Sequence, residues 1–155
     1  DYRKIIDVPG YEKISLNPKT RFIGTMNYDY AGTKELNEAL VSRFLVVDIP
    51  RIEAPVLMKI LTDEFPDGRL EALEQFAGIF VDLQEKAFHS EISTKAVDLR
   101  GIMAALRTIR RGLSPQLAIT MGVVGKTFDQ YEKDIVGDVI ATRLPREWGP
   151  ADIFA

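Results

Sequence analysis

Residues 21–50, RFIGTMNYDYAGTKELNEALVSRFLVVDIP, carry the pattern on which the reading of the whole chain turns. Phe22 to Met26 is a short apolar run, and Phe44 to Ile49 is a second, rich in β-branched residues. Continuous runs of this kind suit buried parallel strands better than half-exposed ones. Between them Leu36, Ala39 and Leu40 fall at helical spacing. The stretch therefore predicts strand, polar loop, short helix, arginine, strand. Ligands of open α/β sheets bind at the carboxyl ends of strands. Asn27, just past the first run, and Arg43, where the helix meets the second, stand at such places. Taken alone, Asn27 reads more simply as a turn residue, and Arg43 as a cation answering a helix C-terminus.

Working outward, residues 3–16 predict a β-hairpin, two short strands around the turn dipeptide Pro9-Gly10. After Pro50 the composition turns helical. Pro55 suits the first turn of a helix carrying Val56, Ile60 and Leu61, which Phe65-Pro66-Asp67-Gly68 breaks. Leu70, Leu73, Phe76, Ala77, Phe80, Leu83 and Ala87 are spaced by three and four, the stripe of an amphipathic helix ending near Phe88. Ser93 or Thr94 caps a third helix in this reading, with Val97, Ala104, Ala105 and Ile109 inside and Gly112 at its end. Ser114-Pro115 opens a short helix through Leu117, Ala118 and Met121. Thr127 and Gln130 have capping-box spacing before a last helix faced by Ile135, Val139 and Ile140. Three parts are expected: 1–50, the end of an α/β sheet domain; 51–142, a small helical unit; and 143–155, a mostly irregular tail.

Composition excludes several classes. At 155 residues with 46% hydrophobic and 28% charged side chains, the chain can bury a core and is not of the disordered type. Its net charge of −3 gives no general attraction to nucleic acid or anionic membrane. The lack of cysteine rules out disulfides and thiolate metal sites and suits a reducing cytoplasm, the expected compartment. No apolar run approaches the roughly 18 residues of a membrane span. The opening at Asp1, already strand-like and without Met, suggests a fragment of a longer protein.

In order, Thr25-Met26-Asn27, Gly32, Leu36-Asn37-Glu38-Ala39-Leu40 and Ser42-Arg43-Phe44 resemble the sensor-1 and arginine-finger region of AAA+ ATPases, in particular the MoxR and dynein-related branch. The resemblance is specific over 21–50 and looser through about 125. It implies a mixed α/β fold, the C-terminal part of a P-loop NTPase sheet domain followed by a helical lid. It makes Asn27 the amide that positions the attacking water, a task suited to a group that both donates and accepts. It makes Arg43 the finger that reaches a neighbouring subunit's ATP, where a planar, permanently charged fork matches phosphoryl oxygens. Sensor 2, the lid cation that touches the subunit's own nucleotide, would fall at Ser93-Thr94-Lys95-Ala96. Lys95 keeps the charge there but lacks the arginine fork. Arg100 is the other candidate, and solvated surface charges remain an equal reading of both. By the same resemblance the parent would be an ATP hydrolase, using ATP and Mg²⁺. It would assemble identical subunits in a ring, a hexamer by family habit, and remodel or activate a protein client.

Two elements of that machinery are missing. Gly125-Lys126-Thr127 resembles the end of a phosphate-binding loop, but the leading glycine position holds Thr120 and the segment reads as helical. Asp63-Glu64 sits on a helical pattern rather than at a strand end. The chain alone is therefore expected neither to bind ATP tightly nor to hydrolyse it. His89 is the sole histidine, so no histidine-pair metal site or histidine triad has support. Arg107, Arg110 and Arg111 form a basic cluster, read as a solvated helix face or as the contact of a non-catalytic interaction or nucleic-acid-binding module. Trp148 either packs on the helical unit or marks a partner contact.

Overall fold

The computed structural model describes residues 4–26 and 37–155. The chain divides into two compact units, Asp1–Leu45 and Val46–Ala155. In the first, strands β1 (Ile5–Ile6) and β2 (Ile14–Ser15) pair antiparallel, with Ile5 opposite Ser15 and Ile6 opposite Ile14. Pro9-Gly10 lies in the turn between them, and Gly10 takes a φ of +87°, a conformation for which a residue without Cβ suffers no steric penalty. Helix α1 (Glu38–Val41) follows, its first turn held by the Asn37 side chain, which accepts from Ala39 N at 2.8 Å.

The fold class expected from residues 21–50 is not what the chain adopts. The described residues are mostly helical, and their sheet is the two-stranded antiparallel hairpin alone. A mixed α/β sheet domain followed by a lid is thereby overturned. Residues 21–26 and 45–50 form no strand, and Ile23 is 92%, Leu45 97% and Ile49 87% exposed. The physical reason is that a strand is completed only by neighbours. Its backbone N–H and C=O groups need partners from other strands, and among the described residues neither run has one. Apolar, β-branched composition signals what a strand requires; it does not supply the pairing.

The second unit is built around α3 (Leu70–Phe88). Its Leu73, Phe76, Ile79, Phe80 and Leu83 are buried, as the three-and-four spacing requires. Against it pack α2 (Ala54–Glu64), through Leu57 and Leu61, and α6 (Gln130–Arg143), through Val136, Val139 and Ile140. Between these in sequence, α4 (Leu99–Ile109) and α5 (Pro115–Gly122) pack on each other. They approach closely at Gly101 and Gly122: a Cβ on Gly101 would collide with the Gly122 carbonyl oxygen, and the reverse contact is equally closed.

Three boundaries differ from the sequence reading. Helix α4 begins at Leu99 with Asp98 as its cap, after a single 3₁₀ turn at Thr94–Ala96. Ser93 is not free to cap it: its N–H and hydroxyl both donate to Glu132, at 2.8 and 3.0 Å. Asp129, not Thr127, caps α6 by accepting from Glu132 N, while Thr127 is buried. The tail, read as mostly irregular, contains α7 (Pro150–Ile153) and is pinned to the α2–α3 turn. Gly68 and Phe154 form a β-bridge, Arg69 N donates to Ile153 O at 2.8 Å, and the Phe154 ring lies 5.9 Å from that of Phe65. Trp148 packs on this core.

Candidate functional site

Ser42 and Arg43 continue directly from α1. Ser42 N donates to Glu38 O at 2.9 Å and Phe44 N to Val41 O at 3.0 Å, so the turn after the helix is closed by its own backbone. Arg43 is exposed, and its Nη1 donates to Ala39 O, one turn back. A guanidinium at a helix C-terminus answers carbonyls that have no intrahelical donor. Among the described residues only part of its fork is occupied, and N–H groups without a partner there can meet an oxyanion. Asn27, the other residue of the expected catalytic pair, lies outside the described residues.

Lys95 and Arg100 are both exposed, one in the 3₁₀ turn and the other in the first turn of α4. Between them stands Asp98. Its carboxylate accepts from Arg100 N at 2.9 Å and forms an ion pair with Lys126 Nζ. Burial works against its charge, but Lys126 and the backbone N–H groups of Gly101 and Arg100 outweigh that, so the carboxyl sits below its ordinary range. Lys126 is thus the cation that touches the start of α4, from a Gly125-Lys126-Thr127 series that lacks the leading glycine of a phosphate-binding loop. No sequence spacing links it to Asp98, 28 residues away; only the α4–α5 crossing brings them together. Neither Lys95 nor Arg100 lines either of the clefts described next.

A cleft of about 360 Å³ lies at the end of α4, lined by Glu64, Phe65, Arg107, Arg110 and Arg111. Arg107 donates from Nη2 and Nε to Glu64 Oε1, at 2.6 and 3.2 Å, and Arg110 Nε lies 3.0 Å from Asp67 Oδ2. The cluster read as a solvated face is therefore partly a cross-link between α4 and the end of α2. A second cleft, about 420 Å³, includes Asp82, Glu85, Glu91 and Asp138. Arg143 clamps Asp82 with two bonds, at 2.8 and 3.0 Å, and lies over Gly78, where a Cβ would come within 2.8 Å of its Nη1. That bond to Asp82 makes the guanidinium harder to deprotonate. Among the described residues no group of three or more His, Asp or Glu side chains could hold a metal ion, and no helix is long and apolar enough to cross a membrane.

The chain is similar, at 29% identity over 144 residues, to the uncharacterized protein YojN of Bacillus subtilis (strain 168), covering 92% of this chain and 47% of that protein. It is 26% identical over 141 residues to uncharacterized proteins of Staphylococcus aureus, among them those of strains USA300 and NCTC 8325, covering 90% of this chain and 53% of each of theirs. The chain spans about half the length of the curated relatives it matches. No protein-family model matches it, and no solved structure matches it significantly.

Proposed function

We propose that this chain works as part of a longer cytoplasmic ATP hydrolase of the MoxR and dynein-related type, which uses ATP and Mg²⁺ to remodel or activate a protein client. In this reading identical subunits form a ring, a hexamer by resemblance. Arg43 crosses to the neighbouring subunit's phosphates, and Asn27 positions water in its own subunit. The reading rests chiefly on the ordered motif series from Thr25 to Phe44. Its support in three dimensions is an exposed guanidinium directly after a capped helical turn. ATP itself would be held by other parts of the longer protein, since this sequence lacks the leading glycine of a phosphate-binding loop before Gly125-Lys126-Thr127. A nucleic-acid-binding module centred on Arg107, Arg110 and Arg111 has less support, because two of those arginines already hold carboxylates.

The test is ATP turnover by the full-length protein that carries this sequence, beside its Arg43→Ala form. Loss of an arginine finger lowers turnover by an amount on the order of 10³ to 10⁵. Nucleotide binding should survive, and mixing the variant with wild-type subunits should lower the rate per wild-type subunit. A folded wild type that binds no ATP, or a variant that turns over normally, would sink the reading.

A further inference from the structure

We propose that the arginine cleft at the end of α4 binds a phosphate group carried on a small molecule, a phosphate monoester or a diphosphate. Arg107, Arg110 and Arg111 stand at i, i+3 and i+4, and the helical turn continues through Arg110, with φ −56° and ψ −22°. Three permanent cations so placed repel one another. Glu64 and Asp67 answer two of them. Arg111 also lines the cleft, is exposed, and has no carboxylate partner among the described residues. The cleft is thus lined by three guanidinium groups and one carboxylate, Glu64, while Asp67 answers Arg110 from outside the lining.

The donors also suit an oxyanion. Arg107 uses Nε and Nη2 on one Glu64 oxygen, and Arg110 meets Asp67 through Nε. Among the described residues Nη1 of Arg107, the Nη groups of Arg110 and the fork of Arg111 make no hydrogen bond, and they remain to donate. Arginine forks meet phosphate through paired, charge-assisted bonds. The volume of about 360 Å³ is that of a small-molecule site. A polyanion is a poorer occupant. Its neighbouring phosphates would meet Glu64 and Asp67, and the chain's net charge is −3. This site is built from residues of the second unit alone and does not depend on the ATPase reading.

Calorimetric titration of the full chain at fixed ionic strength decides it, with inorganic phosphate, pyrophosphate and a single-stranded oligonucleotide as probes. Pyrophosphate is expected to bind at one site. Arg111→Gln should weaken it about tenfold, the effect of one lost charged hydrogen bond, and Arg111→Glu should weaken it further, both with unchanged far-UV circular dichroism. Lys19→Glu, an exposed charge change in the other unit, should leave it unaltered. Three outcomes overturn the proposal: no binding by the wild type, binding indifferent to Arg111→Gln, or equal weakening by Lys19→Glu. Tighter, steeply salt-dependent binding of the oligonucleotide also overturns it, in favour of nucleic acid.

Discussion

Asp98 does two tasks with one carboxylate: it accepts from the first turn of α4 and holds Lys126 across the α4–α5 pair. The two can be separated by substitution. Asp98→Ala removes both, and loss of a capping acceptor alone costs about 1 kcal/mol. Asp98→Asn keeps a good cap but loses the charge, so its cost should be the smaller. The carboxyl is held below its ordinary value of 3.8, so the folded state favours its ionised form. The contribution is therefore complete above that value and disappears as pH falls through the lower, folded-state value. Urea unfolding of wild type and Asp98→Asn from neutral pH down to about pH 2 checks this. The stability gap should be constant at neutral pH and close only at the acid end. A gap that closes near neutrality, or that widens in acid, would show that the ion pair is not its source.

The α4–α5 crossing rests on backbone meeting backbone at Gly101 and Gly122. Gly101→Ala would place a methyl group on a carbonyl oxygen that belongs to the facing helix. Overpacking of a closed contact costs about 1 to 3 kcal/mol, against a gain of up to about 1 kcal/mol in helix propensity from replacing glycine, and a clash with backbone puts the cost toward the upper end. The variant should unfold at lower urea, by an amount in that range; unchanged or raised stability would mean that the helices separate freely. In the sequence Gly122 reads only as the end of a helix and Gly101 carries no signal, because close approach depends on a neighbour that spacing does not reveal. The helices themselves were legible. The α3 stripe from Leu70 to Ala87 and the Pro55 and Pro115 starts needed only local rules of burial and capping. The caps at Asp98 and Asp129 were not, because Ser93 was drawn away by Glu132 from a distant helix and Thr127 was taken into the core. Phe22–Met26 and Phe44–Ile49 misled for a related reason, since strand identity belongs to a pair. Of the candidate site, Arg43 was legible as a helix-terminal cation, and the Asp98–Lys126 contact was not.

Every side chain of the buried core lies between Leu57 and Phe154 among the described residues, and so within the second unit. That distribution predicts that the 46–155 polypeptide folds without the residues before it. At about 110 residues it falls in the range where single domains unfold in one step, and its last turn is fixed by the Phe154 bridge to Gly68. Trp148, the sole tryptophan, reports on this directly, because it sits in the tail yet packs against the core. In urea its fluorescence should therefore change together with the far-UV signal of α2 to α6, in one transition. If the fluorescence changes well before the helices melt, the tail is a loosely attached strap and the core ends at α6. If neither signal is cooperative, the second unit needs the first to fold, and the division at Leu45 is not a division of stability. Coincident transitions would instead assign Arg43 and the motif series around it to a separate unit, so that Arg43 could be varied without disturbing the helical one.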